Sequence, residues 1–132
     1  MTLVSVGLGW SLSIYPAEAR APLEAIRGVW KQEEINDWQT PQAYLFWTLW
    51  YEGRIEAWPV LWAVAECESR WKTNAYNSKT KDSGIFQVHI PIHGQNRAYW
   101  ENAKNNIDYA LKLFKRNGLR DWSASQKCWS NI

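Results

Sequence analysis

The chain has 132 residues, with 15 Lys and Arg against 13 Asp and Glu, for a formal net charge of +2. That length suits one folded domain with enough material for a real core. So mild a charge gives no case for a nucleic-acid binder, although slight basicity favours approach to an anionic polymer. The compositional outlier is tryptophan, with 11 copies. Most are expected in the core. A few have indole faces suited to stacking on sugar rings, and Trp47 and Trp50 could anchor at a membrane surface.

In chain order, residues 2–15 are uncharged and mostly apolar, and Ala17 and Ala19 follow in a small-x-small pattern. This reads as a leader, residues 1–19, cut after Ala19 and too short for a comfortable membrane span, although no Lys or Arg precedes the apolar run. Residues 20–132 then form a single exported domain. Residues 23–35 have roughly helical spacing, weakened by Gly28. Thr40-Pro41 starts a helix, with Thr as N-cap and Pro in the first turn, running through Trp47 to a stop at Gly53. Its apolar residues wrap around the helix, so burial is expected on several sides.

A second strong helix starts near Pro59 and carries an apolar run into Glu66-Cys67-Glu68. Glu66 and Glu68 lie about 200° apart on it and cannot share a face. The polar stretch from Lys72 to Ser83 predicts a loop or a short irregular hairpin. A late helix follows from Ile107, Ala110, Leu111 and Phe114, with Asn105 or Asn106 as its cap, basic residues in its last turn and Gly118 as its stop. The expected fold is mainly α, with a small β or loop region over a cleft.

Glu68 is the residue most suited to chemistry. At the end of an apolar helix, burial and the negative end of the helix dipole both disfavour its ionisation, which suits a general acid. Cys67 and Cys128 fit an exported protein with one disulfide, the alternative being two buried free thiols. His89 and His93 are four apart, but Pro91 between them argues against a helix and no third ligand stands out, so no metal site and no cofactor are expected.

Four segments in order carry a resemblance. Glu68-Ser69, Asn74-Ala75 with Asn77, Gly84-Ile85-Phe86-Gln87, and Asn106-Ile107 with Gly118 and Trp122 resemble the lytic transglycosylase (SLT) domains of the lysozyme-like superfamily, over about residues 59–129. Cys67-Glu68-Ser69 with a late Trp and Cys is also similar to the resuscitation-promoting factors, in which those cysteines pair, implying a Cys67–Cys128 disulfide. The resemblance implies cleavage of the β-1,4 bond between N-acetylmuramic acid and N-acetylglucosamine in peptidoglycan. With the leader, the expectation is a monomer that is secreted, periplasmic or virion-associated and makes no stable membrane insertion once the leader is removed. Glu68 would be the acid and then the base. Gln87 would hydrogen-bond substrate near the scissile bond, and Ser69 and Asn106 would belong to the substrate site, with Trp71 and Trp100 as candidates for sugar stacking.

Asp82-Ser83-Gly84-Ile85-x-Gln87 is also similar to the segment of animal-type lysozymes that carries their second carboxylate. Asp82 either faces Glu68 across the sugar, implying hydrolysis, or caps the turn before Gly84. Phe86 in place of Met, and no glycine before Tyr109-Ala110-Leu111, depart from the transglycosylase pattern. A glycan-binding protein without catalysis would keep the same segments.

Overall fold

The computed structural model describes residues 40–132. The expected leader and the helical spacing over 23–35 lie outside the described residues. The chain divides into two compact units, Met1–Trp62 and Ala63–Ile132.

In the first unit, helix α1 spans Pro41–Tyr51. Thr40 starts it as expected, since its Oγ1 accepts the Ala43 N–H at 3.1 Å. That bond satisfies one of the amides a helix start leaves without an intrahelical partner, and proline loses nothing at the first position because its amide would be idle there. The helix ends at Glu52, and Gly53 follows with φ of 69°. Ala43, Leu45, Phe46, Trp47 and Leu49 are buried, so α1 is covered on several sides, while Trp50 and Tyr51 near its end are exposed. Phe46 sets its ring edge-on to Trp47 and Trp58, at centroid distances of 5.2 and 5.3 Å, within the range of favourable aromatic pairs. A short 3-10 helix, Ile55–Ala57, leads into helix α2, Trp58–Ser69, which begins in this unit and ends in the next.

The second unit holds the end of α2 and a three-stranded antiparallel sheet of two-residue strands: β1 Tyr76–Asn77, β2 Asp82–Ser83 and β3 Val88–His89, in that order. The polar stretch after Lys72 is therefore the short hairpin expected of it. Asn77 shapes the hairpin loop by accepting the amides of Lys79 and Thr80 at 3.0 and 3.3 Å, the local bond that favours Asn in turns.

Four helices follow: α3 Ile90–His93, α4 Arg97–Glu101, α5 Ala103–Asn117 and, after a 3-10 segment over Arg120–Ser125, α6 Gln126–Trp129. Two expectations need correction. Pro91 does not prevent a helix, because it lies in the first turn of α3, where its missing N–H costs no bond. The cap of α5 is Asn102, which accepts the Asn105 amide at 2.9 Å, so Asn105 and Asn106 lie inside the helix. Gly118 ends α5 as expected, with φ of 63°. The core of this unit gathers Val64, Ile85, Phe86, Ile107, Leu111 and Trp122, all at most 4% exposed. Among the described residues, no helix is long and apolar enough to cross a membrane.

Candidate active site

An open groove of about 530 Å³ runs beside the end of α2, bordered by Cys67–Arg70, by Ala75–Lys79 of the β1 hairpin and by Gln87. Glu68 is the one acidic residue among them. Its backbone position follows from an abrupt helix stop. Arg70 and Trp71 both adopt left-handed conformations, with φ of 53° and 61°, and the Arg70 amide still reaches back to the Glu66 carbonyl at 2.9 Å. Residues with a Cβ occupy that region at a cost, so the surrounding packing holds the turn in place.

Glu68 is half-buried. Burial pushes its carboxyl above the ordinary value of 4.5, a hydrogen bond from Ser125 pulls it down, and the charge of Asp82 raises it further. The rise leads, because taking a carboxylate out of water costs more than one hydroxyl returns. The Ser125 bond is short, 2.5 Å from Oγ to Glu68 Oε1, and spans 57 positions of sequence. The same hydroxyl lies 3.1 Å from the Trp122 carbonyl. A serine has one O–H, so these acceptors compete for it. Nothing in the spacing of the sequence marked Ser125. It reaches the acid because a Cys67–Cys128 disulfide joins the residue next to Glu68 to one just past Ser125, and because Trp122 is anchored through an Nε1–H bond to the Phe86 carbonyl at 3.0 Å.

Asp82 and His89 face each other across the β2–β3 pair. His89 Nδ1 lies 2.7 Å from Asp82 Oδ1, and the Thr80 hydroxyl donates to Asp82 Oδ2 at 2.6 Å. Asp82 thus holds the hairpin together instead of capping the turn before Gly84, and it is not among the residues bordering the groove. It acts on Glu68 through its charge.

Gln87 borders the groove, with φ of 51°. Its Nε2 donates to the carbonyls of Gly84 and Ala75, at 2.9 and 3.3 Å. Both amide hydrogens are therefore committed to backbone, which leaves Oε1 as an acceptor. Ser69 also borders the groove but is buried, and its hydroxyl donates back into α2, to the Ala65 carbonyl at 3.3 Å.

The structure places the remaining expected site residues in the core. Asn106 is fully buried: Oδ1 accepts the Phe86 amide at 2.8 Å, and Nδ2 donates to the carbonyls of Ser83 and Trp100 at 3.0 and 2.9 Å. Its amide shapes the Gly84–Gln87 turn and has no hydrogen left for a ligand. Trp71 is buried edge-on against Phe86, and Trp100 is buried beside Tyr99 and Tyr109 with its Nε1–H on the Gly94 carbonyl. Neither indole borders the groove. An indole serves as core or as sugar platform, and the sequence does not distinguish the two uses.

His93 bonds to the Tyr109 hydroxyl through Nδ1 at 2.7 Å, and burial holds its pKa below the ordinary histidine value. The two histidines therefore serve different partners. Among the described residues, no group of three or more His, Cys, Asp or Glu side chains could hold a metal ion.

What this arrangement offers chemically is a single carboxyl in a groove, inclined to stay protonated, with a hydroxyl on one oxygen and an amide oxygen nearby on the rim. No protein-family model, no curated protein and no solved structure matches the chain.

Proposed function

We propose that the chain is a peptidoglycan lytic transglycosylase that cleaves the β-1,4 bond between N-acetylmuramic acid and N-acetylglucosamine. The observation that carries this reading is Glu68: half-buried at the end of an apolar helix, with its carboxyl raised above its ordinary value, and the only acid among the described residues bordering this groove. A protonated carboxyl of this kind is what departure of a glycosidic oxygen needs.

The chemistry runs in two steps. Protonated Glu68 gives its hydrogen to the glycosidic oxygen as the bond from that oxygen to the muramyl C1 breaks. The Glu68 carboxylate then takes the proton of the same sugar's C6 hydroxyl, whose oxygen bonds to C1 and closes a 1,6-anhydro ring. The muramyl N-acetyl group assists at C1, so no second carboxylate is required. In the first step Ser125 donates to Glu68 as its negative charge develops, stabilising the conjugate base. Gln87 Oε1 is suited to accept a substrate N–H or O–H.

A second reading is a hydrolytic muramidase in which Asp82 supplies the other carboxylate. Its charge acts on Glu68, but both its oxygens are engaged by His89 and Thr80, which favours the first reading. Such an enzyme works at the cell wall, as a secreted, periplasmic or virion-associated protein.

The test is to incubate purified protein with cell-wall sacculi beside Glu68→Gln, and to read the released muropeptides by mass spectrometry. Anhydro ends are expected from the wild type and none from the variant. Reducing ends would assign hydrolysis. Equal clearing by both proteins would remove Glu68 from its role, and binding to intact sacculi with no release would make the protein a glycan binder.

A further inference from the structure

The border of the groove carries a charge pattern that acid catalysis alone does not use. Arg70 follows Glu68 by two positions on one side, and Lys79 lies in the β1–β2 loop on the other. Both are exposed, and neither is ion-paired among the described residues. The neighbouring cation differs: Arg97 lies over the Tyr76 ring at 4.3 Å and is paired with Glu101 at 2.7 Å, so its charge is compensated.

Both free cations sit on defined backbone. Arg70 occupies the left-handed turn that ends α2, and the Lys79 amide is held by Asn77 Oδ1 at 3.0 Å. Among the described residues Glu68 is the only acid on the border, and it is neutral whenever it is ready to donate its proton. In that state the border carries two positive charges and no negative one. A neutral homopolymer of N-acetylglucosamine gives these charges nothing to meet. A muramyl residue does, because its C3 side arm carries a carboxylate, either on the lactyl group itself or on the peptide attached to it.

We propose that Arg70 and Lys79 read the carboxylate on the side arm of the glycan, and so make an acid-bearing strand the preferred ligand of this groove over a neutral one. The inference rests on the proposed glycan-cleaving function for its substrate class. Each exposed ion pair contributes modestly and is screened by salt. Two together give about a tenfold preference at low ionic strength, falling toward none near 1 M salt.

The test separates binding from cleavage. Muramyl strands stripped of peptide carry free lactyl carboxylates, and carbodiimide coupling to a neutral amine caps them without altering the glycan. Affinity of the Glu68→Gln protein for the two preparations is measured at 20 mM and 1 M salt. Tighter binding of the charged strands by about tenfold at low salt, lost at high salt, is expected. Adding Arg70→Gln and Lys79→Gln should abolish the preference, and Arg70→Lys with Lys79→Arg should keep most of it. Equal affinity for charged and capped strands overturns the inference, as does a preference that survives loss of both cations. Either result leaves the cleavage reading standing if the wild type still releases anhydro products. Conversely, a preference seen in binding while the wild type cleaves no strand removes the catalytic reading and keeps the site.

Discussion

Glu68 and Ser125 form the pair on which the proposed chemistry turns, and their coupling has a measurable sign. Burial lifts the Glu68 pKa in the folded protein above its ordinary 4.5. Between those two values the native state holds a proton that the unfolded chain has released. This contribution to stability is therefore complete at pH below 4.5 and is lost as pH rises through the folded value. Glu68→Gln cannot ionise, so its melting temperature should gain on the wild type as pH rises from acid to neutral. A difference independent of pH would refute the shift. Ser125→Ala removes a bond that holds the pKa down, so the acid should stay protonated to higher pH. The alkaline limb of its cleavage profile should then move upward, with little change in melting temperature at low pH.

The sequence made the acid legible and its partner invisible. An apolar run ending in Glu-Cys-Glu-Ser places a carboxyl at the end of a buried helix on local grounds alone. A serine 57 positions away leaves no periodic or spacing signal, because a covalent bond and a tryptophan anchor bring it in. The Asp82–His89 pair was within reach: two short strands in antiparallel register put those residues opposite one another, and charged cross-strand pairs are a common use of such positions.

At the scale of the element, the Gly84–Gln87 turn and α5 form one device. Gly84 has φ of 82°, and a Cβ there would collide with the Asn106 amide and the Trp100 carbonyl. Asn106 returns three hydrogen bonds to the segments it touches. Asn106→Ala would strand the buried Phe86 amide and two carbonyls, at a cost of about 3 kcal/mol. Gly84→Ala should cost at least about as much, since backbone strain and overlap add. Urea denaturation of both variants checks this. Loss of under about 1 kcal/mol in Asn106→Ala would mean that the turn does not depend on that amide.

Elements with local causes were readable in advance: Thr40 and Pro41 at the start of α1, and Gly118 at the end of α5. The start of α5 was not, because Asn102, Asn105 and Asn106 are all capable caps and only tertiary packing selects among them. Asn106 is taken by the core, which leaves Asn102 to cap. The burial of Trp71 and Trp100 follows the same logic. Composition gives the number of indoles, and packing decides which of them water can reach.

For the whole molecule, the feature with the widest reach is the bond between Cys67 and Cys128. It closes a sequence separation of 61 residues, and in the chain-entropy account a link of that length contributes about 4 kcal/mol. Reduction with dithiothreitol should lower the stability of the folded protein by about that amount, and an unchanged urea midpoint would show that the noncovalent core suffices. Cys128 is exposed, so thiols in solution can reach the linkage. Opening it also frees the Ser125 segment from its tether beside Glu68. If the proposed cleavage holds, the linkage would act as a safety catch, and sacculus clearing should vanish on reduction and return on reoxidation.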